Sequence, residues 1–409
     1  MTQAYFNTKF FEKLKKGGNM IKKLLLVVAA LSLIIPAAAC TPKEAETIKI
    51  GCLLDTSGDL AAMGVRILDA ARLAVEDINA AGGVLGKQVE LVEEDGATDP
   101  AIGFNGVKKM IEIDGVQVIA GPMITGASLL SIPYANGHKV PLITPSATGI
   151  PLSEEEGTEW FFRTCLRDDA QGLMLADIVM DKGYTKLATI VLDNSYGKGL
   201  ETYILEGLEA AGWQGENVVS IHYSEAAKDY RTELQQIADS DADVVLAVTY
   251  CDDGIMIFKQ ALEMGLDEIA WLGCDGNYGS GLFEEAKSAE FMEKAIVAGT
   301  RTVGTGAICD HFNTAYEDKY GETPEVYCDT VYDAVWAAAK AIEAAGVYDG
   351  EAIRVALTEL EFDGATGPIA FNDIGDRNAG SFEIWQVVKD ATTTTGYKNA
   401  PIEIVAWSM

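Results

Sequence analysis

Histidine is scarce in this chain, and that scarcity removes whole classes of chemistry. Of 409 residues three are histidine, His138, His222 and His311, and none stands near a nucleophile motif or in a Cys/His spacing suited to zinc. A structural metal and a histidine-based triad are therefore not expected. No G-x-x-x-x-G-K-[ST] phosphate loop occurs; residues 82–87, GGVLGK, have the wrong spacing and Gln88 follows the lysine. Gly197 and Gly199 follow an apolar run but lack the third glycine of a dinucleotide fingerprint, and no serine occupies G-x-S-x-G. Positive charge is short as well. The chain has 31 Lys and Arg against 62 Asp and Glu, a net charge of −31, which disfavours nucleic acid and anionic membrane surfaces, both recognised through cationic patches. After residue 40 no apolar run is long enough to span a bilayer, and there is no solenoid repeat or low-complexity tract. The residues ask for no enzyme, cofactor or metal.

What is present begins at the N-terminus. Residues 20–39, MIKKLLLVVAALSLIIPAAA, combine a basic start, a short apolar run and small residues, the layout of a secretory signal. Cys40 follows directly and resembles the lipidated first residue of a bacterial lipobox, although Ala37 stands where leucine is commoner. Residues 40–47 would then be a tether, and residues 1–19 an extension upstream of a natural start at Met20. Export permits disulfides among Cys52, Cys165, Cys251, Cys274, Cys309 and Cys328, and six cysteines allow fifteen pairings. No C-x-x-C occurs, and the scatter of the six along strands and helices suggests mostly buried free thiols.

At 409 residues two domains are the default, and 48% hydrophobic content suits a globular fold. From residue 48 short β-branched runs alternate with amphipathic stretches. Strands are expected at 48–54, 89–93, 116–120, 140–144, 186–192, 217–222, 243–249, 268–273 and 294–298, with helices such as 62–80, 168–182, 197–211 and 330–345 among them. Such alternation gives a parallel sheet covered by helices on both faces. Residues 116–149, VQVIAGPMITGASLLSIPYANGHKVPLITPSATG, are the centre of the chain: strand, tight loop, helix, strand, tight loop. Two adjacent parallel strands there end in loops rich in hydroxyls and free N–H groups, the position where open α/β sheets take ligands. Helix N-termini at that edge favour an anion, so the stretch reads as a cradle for a small carboxylate.

Seven stretches carry a family resemblance. They are IKIGCLLDTSG at 48–58, ARLAVEDINAAGGVLGKQVELVEEDGATDP at 71–100, VIAGPMITGAS at 118–128, VPLITPSAT at 140–148, FFRTCLRDDAQG at 161–172, IVLDNSYGKGL at 190–200 and GATGPIAFNDIGD at 364–376. Together they resemble the type I periplasmic binding proteins, in the branched-chain amino-acid (Leu/Ile/Val) binding family of ABC importers, over essentially all of the chain from residue 48.

The resemblance implies an α/β fold of two doubly wound, Rossmann-like lobes joined by three hinge crossovers near Thr164–Leu166, Gly299–Thr302 and Thr366–Pro368. Lobe 1 would be 48–164 plus 302–366, and lobe 2 would be 166–299 plus 367–409. Ligand would bind between lobes that close on it. It further implies that Ser146, Ala147 and Thr148 hold the α-carboxylate and α-ammonium of an amino acid, and that Asp275 pairs with the ammonium. Tyr196 and Tyr250 would face the ligand from lobe 2. Departures from the family pattern are Ile124 where leucine-type relatives carry a carboxylate-binding hydroxyl, with Thr125 beside it, Met63 where an aromatic often lines the pocket, and Gly58-Asp59 for Gly-Pro. The implied function is a monomeric, lipid-anchored, extracytoplasmic solute-binding protein that passes an apolar amino acid to a membrane permease. A sensing receptor, or a binder of an aromatic acid, amide or urea-like solute, is the alternative.

Overall fold

The computed structural model describes residues 47–154 and 156–408. The expected leader, Cys40 and all but the last residue of the tether lie outside the described residues. Two sheets organise the rest. The first is entirely parallel, with order β2-β1-β3-β4-β5, built from β1 (Ile48–Leu54), β2 (Val89–Asp95), β3 (Ile119–Ala120), β4 (Leu142–Thr144) and β5 (Phe161–Arg163). The second holds β6 (Lys186–Leu192), β7 (Glu216–Tyr223), β8 (Val244–Val248), β9 (Ala270–Gly273) and β10 (Ile296–Val303) in parallel. Two antiparallel strands, β13 (Ala379–Lys389) and β14 (Tyr397–Ser408), extend it on the β10 side, giving the order β14-β13-β10-β9-β8-β6-β7. Between β10 and β13 in sequence lies the hairpin of β11 (Glu361–Gly364) and β12 (Gly367–Ala370).

The central strands are short apolar runs because helices cover both their faces. All five residues of β8, VVLAV, are buried, as are six of the seven in β6. Over the first sheet lie α1 (Ala61–Ala80), α2 (Pro100–Lys109) and α3 (Thr125–His138), together with α10 (Cys328–Ala345), which packs on α1 and against β3 and β4. The second sheet carries α4 (Asp168–Lys182), α5 (Ser195–Ala210), α6 (Arg231–Ala238), α7 (Cys251–Glu263) and α8 (Ala286–Ala295). α9 (Ala307–Tyr320) and α11 (Gly350–Thr358) complete the set. The six described cysteines are all buried and unpaired.

Several expected bounds move by one to three residues, the starts of two strands among them. The strand expected at 116–120 pairs only at Ile119 and Ala120, although Val116 and Val118 are also buried. The strand expected at 294–298 begins at Ile296, because α8 runs through Ala295. Glu285 caps α8 by accepting from the N–H groups of Lys287 and Ser288, and Phe291 stacks on Phe258 and meets the edge of Trp271. Tertiary packing therefore keeps Lys294 and Ala295 helical.

The three segments expected as crossovers are tied to one another. Leu166 N–H donates to the Thr302 hydroxyl at 3.3 Å, and the Thr164 hydroxyl donates to the carbonyl of Thr330 at 2.8 Å. Arg377, 1% exposed, donates to the carbonyls of Thr164 and Pro368 and to the Thr366 hydroxyl. Gly299–Thr302 is itself part of β10, paired with β13, and the last passage from β12 to β13 runs through residues 371–378.

Candidate functional site

The loops beyond the carboxyl ends of β3 and β4 face those beyond β6, β8 and β9 across a small cavity of about 30 Å³, room for a water or two. From the first lobe it is lined by Leu60, Met63, Met123, Ile124, Thr125, Ser146 and Tyr327. The second lobe contributes Tyr196, Tyr250, Asp275 and Gly276.

On the first wall, α3 starts at Thr125 with no side-chain cap. Its first turn closes with Ser128 N–H on the Ile124 carbonyl at 3.1 Å. The N–H groups of Thr125, Gly126 and Ala127 precede that bond and have no partner within the helix. Gly149 lets the following loop close down on this turn, since a Cβ there would come within 2.6 Å of Thr125 Cγ2. The Ser146 hydroxyl donates to the Met123 carbonyl at 2.8 Å, so toward the cavity it offers lone pairs rather than a proton.

Ala147 and Thr148 stand behind the lining. Ala147 N–H donates to Thr144 Oγ1 at 2.9 Å, and the carbonyls of both residues accept from Arg163 Nη1, at 3.2 and 2.9 Å. Arg163 is fully buried and lies with its Nε 2.6 Å from Asp376 Oδ1. That loop is thus a rigid platform held from below. Of the site residues expected from sequence, the structure brings Met63, Thr125, Ser146, Tyr196, Tyr250 and Asp275 to one cavity; Ala147 and Thr148 do not line it.

On the second wall, Asp275 opens the 3-10 turn that follows β9 and is 3% exposed. Oδ1 accepts from Gln171 Nε2 at 2.9 Å and from the Tyr196 hydroxyl at 2.6 Å, while Oδ2 accepts from the Tyr327 hydroxyl. All three donors are neutral; among the described residues no lysine or arginine pairs with this carboxylate. Burial, reinforced by the nearby Asp275 charge, raises the Tyr196 and Tyr327 phenols well above their usual range, so both stay protonated donors. Tyr250 is likewise raised, by burial and then by Glu225. Its ring stacks on that of Tyr196 at 5.7 Å and 7°.

A second carboxylate lies behind the first. Asp168, in the first turn of α4, is wholly buried and neither of its oxygens has a hydrogen bond of standard geometry. Burial, then the Asp275 charge, pushes its pKa well above the carboxylate range; the Thr148 hydroxyl and Arg163 act the other way. Among the described residues no cation touches either acid, and Asp275, held by neutral donors alone, favours a cationic guest. Sequence reasoning assigned no role to Asp168, Gln171 or Tyr327. Asp168 and Gln171 were within reach, since both fall in the FFRTCLRDDAQG stretch one helical turn apart. Tyr327 carried no sequence signal.

A family model described as periplasmic binding protein matches residues 47–392. The leucine-, isoleucine-, valine-, threonine- and alanine-binding protein of Pseudomonas aeruginosa is 28% identical over 384 residues, covering 93% of this chain and 99% of that one. Among solved structures, the branched-chain amino-acid transporter substrate-binding protein LivJ of Streptococcus pneumoniae, in complex with isoleucine, superposes with a TM-score of 0.77 at 27% identity. The match covers 89% of this chain and all of that one (100%). A solute-binding protein from R. palustris in complex with benzoate shares the fold, with a TM-score of 0.76 at 19% identity over 89% of this chain and 98% of that one.

Proposed function

The chain belongs to the periplasmic binding protein family, in the type I group with the branched-chain amino-acid-binding proteins, and on that premise we propose that it is an exported solute-binding protein of an ABC importer that takes a small apolar α-amino acid. The observation that carries this reading is Asp275: a buried carboxylate held by three neutral donors, with no cation beside it among the described residues. An α-ammonium supplies the missing charge. Its remaining N–H groups have the Ser146 hydroxyl as acceptor, which is already turned to donate to Met123. The α-carboxylate goes to the opposite wall, against the Thr125 hydroxyl and the free N–H groups of the first turn of α3. Leu60, Met63, Met123, Ile124 and the Tyr250 ring are left for the side chain. Each charge-assisted hydrogen bond contributes about 1.5–3 kcal/mol net. Three or four of these with apolar burial reach the roughly 8 kcal/mol of a micromolar complex.

The transport role follows the relatives: a monomer that closes on its ligand and delivers it to a permease, held at the membrane through a lipid on Cys40. An aromatic acid is the second reading, favoured by the stacked Tyr196 and Tyr250 rings. It leaves Asp275 without a counter-charge. A thermal-shift screen of residues 40–409 carrying Cys40→Ser, against the amino acids, benzoates and amine-free carboxylic acids, tests the choice. A ligand at about 100 times its Kd adds roughly 2.7 kcal/mol to stability. Shifts confined to small apolar amino acids are expected; shifts with amine-free acids alone would overturn the assignment of Asp275.

A further inference from the structure

One short loop of the first lobe, residues 321–327, meets the second lobe at two points. Arg66 of α1 anchors it on its own side, with Nη2 3.1 Å from Glu322 and Nη1 3.8 Å from Glu325. Across the cleft, Glu325 Oε1 accepts from the N–H of Ser280 at 2.8 Å, and two residues on the Tyr327 hydroxyl reaches Asp275. Both partners belong to the segment that follows β9. Gly279 makes the approach feasible: it adopts φ +138°, and a Cβ there would come within 2.9 Å of Glu325 Oε2.

Tyr327 is held in an unusual backbone state to do this. At the N-cap of α10 it adopts φ 68°, ψ −2°, the left-handed region that an aromatic residue rarely occupies. The Thr330 hydroxyl and the Val331 N–H, both at 3.0 Å, fix its carbonyl and hold the turn. Backbone strain of this kind persists only where the surroundings over-determine it, and it clusters at ligand clamps. A carboxylate offers about four acceptor positions. At Asp275, Gln171 and Tyr196 fill both on Oδ1 and come from the same lobe, while Tyr327 fills one on Oδ2 and comes from the other.

We propose that Tyr327 is a positioning residue that couples recognition of the ammonium to closure: the anionic subsite is completed only when the 321–327 loop docks on the 275–280 segment. This rests on the reading of Asp275 given above. In the open form Oδ2 lies free in water; on closure the phenol orients it, leaves one acceptor position for a single N–H of the ligand, and excludes solvent. The closed form therefore binds the amine more tightly than the open form, the condition under which a ligand shifts a conformational equilibrium.

The test is stopped-flow binding of the tightest amino acid from the screen to the full mature protein. Tyr327→Phe keeps the ring and removes the hydroxyl. Its association rate should match that of the unsubstituted protein, because encounter occurs with the open form, while dissociation accelerates roughly ten- to hundredfold, the loss of one hydrogen bond to a charged group. Glu325→Ala removes the neighbouring tie without touching Asp275, and should also accelerate dissociation, by a smaller factor. Unchanged dissociation in Tyr327→Phe, or a loss that falls on association, overturns the proposal, as does a Glu325→Ala variant that releases ligand at the original rate. If the unsubstituted protein binds no α-amino acid at all, the reading of Asp275 fails first, and the proposal fails with it.

Discussion

The substitution Asp275→Asn separates charge from shape at the site. The amide would keep the volume and one oxygen of the carboxylate. Gln171 and Tyr196 both donate to Oδ1, so the amide oxygen would settle toward them and its NH2 toward Tyr327, whose hydroxyl can turn to accept. The unliganded protein should therefore keep its stability or gain some, because a buried carboxylate without a cationic partner is removed. Ligand binding should suffer heavily. The arriving ammonium would enter a dehydrated cleft without a fixed counter-charge, and breaking a buried ion pair by removing one partner costs about 3–5 kcal/mol. That corresponds to a Kd roughly 140- to 3700-fold weaker at about 1.4 kcal/mol per decade. Titration calorimetry near pH 7 measures the change, and a denaturant melt of the unliganded variant checks the fold. A Kd within threefold of the original would refute the ammonium role; a weakened Kd with an equally lowered unfolding midpoint would reduce Asp275 to a structural group.

The charge pair under the β4–β5 loop makes a stability prediction. Asp376 is fully buried between Arg163 and Arg167, with 2.6 Å separations to each, so Asp376→Ala leaves Arg163 buried without its partner. A loss of about 3–5 kcal/mol is expected in urea unfolding, and under 1 kcal/mol would refute the ranking of this pair. A pH prediction follows from two other acids. Burial pushes Asp55 and Asp253 up to about 7 in the folded chain, against about 3.9 when unfolded. Between those values the folded state binds more protons, so these two groups lower stability progressively as pH rises from about 4 to 7. Asp253→Asn should flatten that slope in urea melts taken across the range. An unchanged slope would show that Asp253 stays ionised while buried.

Much of the architecture was legible because it depends on local composition. The runs at 48–54 and 186–192 are short, mostly apolar and closed by turn residues, and they emerge as β1 and β6 with those bounds. The helix expected at 168–182 emerges as α4 with those bounds, with acids in its first turn and Gly183 after its last. Segments whose state depends on distant partners were not legible. The start of β10 is set by how far α8 stays helical, and that is decided by Phe291 packing on Phe258 and Trp271.

Residue order alone set the class of the chain, the alternating α/β order, and a cradle of free N–H groups and hydroxyls at the ends of β3 and β4. The family resemblance, rather than any local pattern, singled out Asp275 as the acid to watch. Which of these groups meet was left to the packing of the whole molecule. Tyr327 reaches Asp275 across the cleft from 52 residues away and Gln171 from 104 within the same lobe, and no periodicity or motif encodes contacts at such separations. Packing also removed Ala147 and Thr148 from the lining, because Thr144 and the buried Arg163 claim backbone groups of that loop. Local sequence sets backbone conformation over a few residues, whereas a binding site is defined by which buried polar groups are left without a partner. That inventory exists only once the whole chain has packed.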